Sequence, residues 1–204
     1  MDEIYKFDLA VFDLIKDHIW NGILDPVMAV VSFTGEGGAI WILLALILLV
    51  FKKTRKTALM MGAALIIMLV LNDIILKPLI ARPRPFDFAG WTNFIYPNIA
   101  FKIPTSYSFP SGHTAAAFAC AIVLLLRDVR IGLPAFLYAF IMGFSRIYLF
   151  DHYCTDVIAG VFVGMIYGLI GYYIVKVIAD KIDWHNNLEK EFNLPRGDYR
   201  GTRF

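Results

Sequence analysis

Ile131-Gly-Leu-Pro-Ala-Phe-Leu-Tyr-Ala-Phe-Ile-Met-Gly-Phe-Ser145-Arg146-Ile-Tyr-Leu-Phe150 runs through Asp151-His152-Tyr-Cys-Thr155-Asp156 into a second apolar run ending at Ile178. A bilayer core about 30 Å thick takes roughly 20 predominantly apolar residues to cross. Both runs have that length, and a short connector rich in ionisable groups joins them. Such groups are costly beside hydrocarbon, so their default reading is functional.

Outward from this pair the pattern repeats. Thr57–Ile80 also has a crossing length. Ser111–Leu126 reaches it only with its flanks, and Gly37–Phe51 only if it begins earlier, within Pro26–Phe33. At 204 residues, 59% hydrophobic and a mean hydropathy of +0.65, the chain is too apolar for an ordinary soluble domain. We expect an all-α fold, a polytopic membrane helical bundle of five or six transmembrane helices. The fate of Leu24–Phe33, whether it crosses, dips in or packs on the surface, decides the count. Residues 1–182 form the membrane domain; residues 183–204, polar and carrying Pro195, Gly197 and Gly201, read as a cytoplasmic tail.

At the start of the chain, Ile4, Phe7, Val11, Leu14 or Ile15, and Ile19 recur at helical spacing, with Asp2, Glu3, Asp8, Asp13 and Asp17 largely elsewhere. This predicts an amphipathic helix lying in the membrane interface. The first residues, Met1-Asp-Glu-Ile-Tyr-Lys, have neither a basic n-region nor an apolar run, so no signal cleavage is expected.

Lys and Arg gather in cytoplasmic loops. Lys52, Lys53, Arg55 and Lys56 crowd one connector, Arg127 and Arg130 flank another, and Lys176 and Lys181 close the last run. These sites alternate with the runs, so all can be cytoplasmic. Arg82–Pro110 and Asp151–Thr155 then share the extracytoplasmic face.

That face collects a chemically specific set. Lys77 and Arg84 would lie about 10 Å apart along a regular helix, but Pro78, Pro83 and Pro85 break it and can bring both cations to one anion. Arg82 competes with Arg84 for the inward role, and snorkelling to lipid phosphates is the plain alternative. Pro110-Ser111-Gly112-His113-Thr114 opens a small-residue helix. Ser111 suits an N-cap, Gly112 permits close backbone approach, and free N–H groups there attract an anion. His113 would aim a proton donor at the same place. Asp156 follows His152 by one helical turn, close enough to hold one ring nitrogen's proton and leave the other free to attack phosphorus. Asp151 is the rival partner, but adjacent side chains rarely face one another. Cations for an anion, one histidine to attack and another to protonate a leaving group suit phosphoryl transfer without a metal.

Other signals are weaker. Cys120 and Cys154 form no CxxC pair, and no arginine follows Cys154 to cradle phosphate. No HExxH occurs, and His113 and His152 lack a well-spaced third ligand, so no metal or other cofactor is expected. A net charge of +2 gives no reason to expect nucleic acid. Gly160, Gly164 and Gly168, with Gly171, read as close helix packing. Gly35-Glu-Gly-Gly38 reads as a turn, since no Lys-Ser/Thr follows it.

Taken together, Lys77-x6-Arg84-Pro85, Pro110-Ser111-Gly112-His113 and Ser145-Arg146-x5-His152-x3-Asp156 resemble the three signature motifs of the type 2 phosphatidic acid phosphatase (PAP2) superfamily, over Lys77 to Asp156. The resemblance implies a metal-independent membrane phosphatase acting on a lipid phosphate in the bilayer. It implies His152 as the nucleophile forming a phosphohistidine, Asp156 as its orienter and His113 as general acid. Lys77, Arg84, Ser111, Gly112 and Arg146 would form the phosphate cradle. Length, the amphipathic start and Leu24-Asp25-Pro-Val-Met look similar to small bacterial undecaprenyl diphosphate phosphatases of the plasma membrane. Gly112 stands where some of those enzymes carry Asp. Relatives acting on phosphatidic acid or phosphatidylglycerol phosphate are the nearer alternatives; a vanadate-dependent oxidase or a transporter is the alternative of another class. The sequence leaves the oligomeric state open.

Overall fold

The structure is a computed structural model that describes residues 3–87 and 105–191, with side chains to residue 182. The segment 88–104 and the last residues, 192–204, lie outside it, so the expected tail is outside the described side chains. Among the described residues all regular structure is helical: α1 (Glu3–His18), α2 (Leu24–Thr34), α3 (Ala39–Val50), α4 (Arg55–Met68), α5 (Lys77–Ile80), α6 (Gly112–Arg127), α7 (Val129–Tyr148) and α8 (Cys154–Glu191).

Small side chains put α6 at the centre. Ala115, Ala116, Ala117, Ala119 and Ala121 are buried along it, and it packs against α4, α7 and α8. The expected glycine packing is what brings α8 in. A Cβ at Gly164 would lie 2.5 Å from the Ala115 carbonyl oxygen, one at Gly168 2.4 Å from that of Ala119, and one at Gly160 2.9 Å from that of Ser111. Gly171 meets α4 instead, where a Cβ would come 2.6 Å from the Ala64 nitrogen. Without a hydrophobic drive between helices in lipid, such close backbone contact is what holds them.

Outside this core, Leu43, Ile47, Ile66, Leu137, Phe140, Phe162 and Ile166 are exposed, an apolar girdle of the kind that faces lipid in a membrane protein. Among the described residues, three helices are long and apolar enough to cross a membrane: Arg55–Ile80, Val129–Tyr148 and Cys154–Ile182. The early start expected for the Gly37–Phe51 run is found, but as a broken pair: α2 and α3 differ in direction by 47°. Gly37 and Gly38, at φ 56° and 74°, make the break. Counting that pair gives up to four crossings, and α6, a shorter apolar helix, would be a fifth.

Arg127 Nε donates to Thr57 Oγ1 at 3.1 Å, which ties the α6–α7 connector to the start of α4. The two basic connectors therefore share one end of the bundle. The residues of the three motifs gather at the other.

The amphipathic α1 is present, with Ile4, Phe7 and Leu14 exposed, but it has a second buried face that the apolar spacing does not show. Asp8, Phe12 and Ile15 are buried; Phe12 stacks on Phe150 and Tyr153 at centroid distances of 4.8 and 5.7 Å. Tyr5 Oη and Tyr153 Oη are 2.9 Å apart.

Candidate active site

Between α4 and the end of α5 the helix widens into π-helical turns, Leu69–Leu76. Such bulges recur at functional sites. Here the bulge turns Asn72 inward, fully buried, with its Nδ2 donating to Asp73 Oδ1 at 3.1 Å and to the Pro110 carbonyl at 3.4 Å. Asp73 Oδ1 in turn lies 2.6 Å from Lys77 Nζ. Gly112 is held against this pair: a Cβ there would sit 3.0 Å from Asp73 Oδ1 and 3.1 Å from Lys77 Nζ. A larger residue at 112 would crowd this pair and make one of its side-chain ends shift.

After α5, Ala81 takes a left-handed conformation (φ 50°) and the chain folds back, as the prolines require. This reversal separates the two competing arginines. Arg84 turns inward: its Nε donates to the Ser106 carbonyl at 2.7 Å, Nη2 to Ser106 Oγ at 3.0 Å and Nη1 to Asp151 Oδ1 at 3.0 Å. Its Nη1 is also 3.5 Å from His152 Nε2. Arg82 faces the rear. Its Nη1 donates to Asp156 Oδ1 at 2.6 Å and its Nη2 to Asp8 Oδ2 at 2.7 Å, with the guanidinium 4.0 Å from the Tyr153 ring centroid.

The connector between α7 and α8 carries the rest. Asp151, set aside above as a partner of His152, engages the arginines instead: Arg84 on Oδ1 and Arg146 on Oδ2. Arg146 also donates to Ser32 Oγ of α2. His152 is fully buried, with Nδ1 3.5 Å from Asp156 Oδ2 as the spacing predicts. Ser108 joins the pair, donating to Asp156 Oδ2 while its Oγ lies 3.3 Å from His152 Nδ1. Tyr153 N donates to the same carboxylate oxygen at 3.0 Å.

Ser111 occupies the N-cap position of α6 but does not cap it with its side chain, which corrects the expected role. Its Oγ accepts from Thr114 Oγ1 at 3.0 Å and its N–H donates to the Asp156 carbonyl at 3.1 Å.

Burial, and then the charges of Arg84, Arg146 and Lys77, hold the His152 imidazole well below its ordinary pKa, so its neutral form prevails. Burial works against the Arg82 charge, yet Asp156 and Asp8 keep its pKa above the usual guanidinium value.

Lys77, Arg84, Gly112, His113, Arg146 and His152 line one cavity of about 860 Å³, with Asp73, Ser106 and Glu36. Asp156 and Ser111 stand behind its wall. The rest of the lining is apolar, chiefly Ile42, Leu46 and Leu49 of α3 and Leu59, Gly62 and Ile66 of α4. From Ile42 to Leu49 this groove follows α3 for about 10 Å, away from the charges and toward the basic connectors. No group of three or more His, Cys, Asp or Glu suited to a metal ion occurs among the described residues.

Sequence reasoning missed Ser108, Ser106, Ser32 and the rear pair Asp8–Arg82. Isolated hydroxyls, in a loop for Ser106 and Ser108 and on α2 for Ser32, carry no periodic signal. Asp8 had one: it shares a helical stripe with Phe12 and Ile15.

A family model described as the PAP2 superfamily matches residues 53–179. The chain belongs to the PAP2 superfamily. Among its relatives, an undecaprenyl-diphosphatase of Sulfolobus acidocaldarius is 33% identical over 78% of this chain and 73% of its own. The undecaprenyl-diphosphatase BcrC of Bacillus subtilis is 32% identical over 80% and 81%. In solved structures, Aquifex aeolicus LpxE superposes with a TM-score of 0.66 at 32% identity, covering 80% of this chain and 93% of that one. A PAP2-type phosphatidylglycerolphosphate phosphatase of B. subtilis gives 0.65 at 27% identity, covering 89% of each. The PAP2 matches carry the helical membrane fold and the phosphatase class with them.

Proposed function

We propose that this PAP2 phosphatase hydrolyses undecaprenyl diphosphate to the monophosphate at the outer face of the plasma membrane. One observation carries the reading. Three cations and two imidazoles converge at one end of a cavity whose remainder is an apolar groove. A phosphate head and a hydrocarbon tail, joined in one molecule, fit that division. The undecaprenyl-diphosphatase relatives favour this lipid over a phosphatidyl substrate.

The chemistry follows from the positions. Lys77, Arg84 and Arg146 take the equatorial phosphate oxygens, where negative charge spreads in the transition state. His152, kept neutral by burial and its cationic neighbours, attacks phosphorus through Nε2. Asp156 and Ser108 hold Nδ1. His113 protonates the departing oxygen, Gly112 shapes the floor of the cradle, and Ser111 supports it from behind. Water then opens the phosphohistidine with His113 as base. The positively charged connectors at the opposite end of the bundle support an extracytoplasmic site.

Phosphate release from undecaprenyl diphosphate, phosphatidic acid and phosphatidylglycerol phosphate, each in detergent micelles, tests the assignment. The diphosphate should give the highest kcat/KM. A preference for either phosphatidyl lipid would move the substrate while leaving the mechanism; no release from any would end the phosphatase reading.

A further inference from the structure

The turn Gly35-Glu36-Gly37-Gly38 takes no part in the reaction as derived, yet it is built against His113. A Cβ at Gly35 would lie 2.9 Å from His113 Cδ2 and 2.6 Å from Met142 Cε, so a larger residue there would have to displace the side chains of His113 and Met142. Gly37 and Gly38 then hold left-handed conformations that glycine adopts without strain. The outcome is that Glu36 Oε2 stands 3.5 Å from His113 Nε2. That nitrogen is buried and makes no hydrogen bond among the described residues. The glutamate side chain is 76% exposed, so its carboxylate keeps contact with water and room to swing.

The charges around His113 need such a partner. Lys77 of α5, Arg84 of the folded-back segment and Arg146 of α7 share its cavity, and His152 lies across it. An imidazolium at 113 would be repelled by all three cations. The other carboxylates are engaged: Asp73 by Lys77, Asp151 by Arg84 and Arg146, and Asp156 by Arg82. Among the described residues, Glu36 is the acidic group left facing the ring.

We propose that Glu36 is the positioning residue of His113, holding a proton on Nε2 between turnovers and yielding that nitrogen to the leaving oxygen. The inference rests on reading His113 as the proton donor. As the P–O bond breaks, the Nε2 proton passes to the leaving oxygen and His113 becomes neutral. When water attacks the phosphohistidine, its proton returns to Nε2. Glu36 stays a carboxylate throughout and only stabilises the charged ring.

The test compares Glu36→Gln and Glu36→Asp in the full-length protein, on phosphatidic acid and on farnesyl diphosphate. Removing a carboxylate at this distance should move the basic limb of the pH–rate profile to lower pH by about one unit. Above neutral pH, Glu36→Gln should cost about tenfold in kcat on the monoester, whose leaving group is an alkoxide, and less than about threefold on the diphosphate. Glu36→Asp should restore much of the limb. An unmoved limb with equal losses on both substrates would overturn the proposal. So would a variant that only binds phosphate more tightly, since Glu36 would then merely block the anion site. His152→Ala separates the two levels. If it stays active, the phosphohistidine mechanism falls and this inference with it. If it is dead while Glu36→Gln keeps the wild-type profile, only the role of Glu36 is lost.

Discussion

Asp8 Oδ2 accepts from Arg82 Nη2 at 2.7 Å, and through that arginine the first helix is fastened to the carboxylate behind His152. Thr155 completes the clasp, with its N–H and Oγ1 2.9 and 2.7 Å from the Asp8 carboxylate. Breaking a buried ion pair by removing one partner is costly, because the other charge stays buried. Asp8→Ala should therefore lower Tm in detergent by about 5 °C and activity by about tenfold. Asp13→Ala, which leaves this clasp intact, should do neither. Equal behaviour of the two variants in a thermal-shift and phosphate-release assay would show that α1 is a passive anchor.

The nucleophile and its supports should separate by severity. His152→Ala should lose at least about 10³-fold in kcat while still binding vanadate. Asp156→Asn should fall by a factor on the order of 10³ through the wrong tautomer. Ser108→Ala should cost only about tenfold, since Tyr153 N and Arg82 still hold Asp156. Residual activity of more than a few per cent in His152→Ala would reject the assignment.

The depressed pKa of His152 has two consequences with definite signs. In the enzyme the ring stays neutral well below pH 6.5, so loss of the nucleophile should begin only at distinctly acidic pH. In the unfolded chain the same ring takes its proton near pH 6.5. Below that value the unfolded state binds a proton that the folded state refuses, so stability falls as the medium is acidified. Tm of wild type should thus drop more steeply between about pH 6.5 and 5 than Tm of His152→Asn. Parallel curves would contradict the burial argument.

Sidedness can be read with cysteines on a background lacking Cys120 and Cys154. Asn93, the natural choice in the long connector, lies outside the described residues, so Thr105, exposed beside the site, serves instead. Thr105→Cys should react with an impermeant thiol reagent on intact cells, and the exposed Lys53→Cys should not. The reverse labelling would put the site in the cytoplasm.

Much of this was legible in the sequence because membrane helices announce themselves by length and apolarity. The charges at their ends stand out for the same reason: hydrocarbon gives them few other uses. Lys77, Arg84, His113, Arg146 and His152 reach one cavity as their motifs suggest. The sorting of the neighbours was not legible. Arg82 and Arg84 differ only in which way the chain leaves Ala81, and a left-handed alanine has no sequence signature. Asp151 looked like a poor neighbour for His152, and it is one; its use is across the site, where Arg84 and Arg146 meet it. Nor does any periodicity reveal the π-helical turns that bring Asn72 and Asp73 to Gly112.

The glycines of α8 also act as a ruler. His113 rides on α6 and His152 on the approach to α8, so on the proposed mechanism the gap between the two rings follows from how nearly two backbones touch. Gly160 governs the end of that contact next to the reaction, with the Ser111 carbonyl and Thr114 as its stops. A single methyl there would cost little as chemistry but would wedge donor and nucleophile apart, so Gly160→Ala should depress kcat well beyond its effect on Tm. On the proposed mechanism, catalytic spacing would be calibrated by atoms that are absent, two turns of bare backbone setting how near the helix of His113 stands to that of His152.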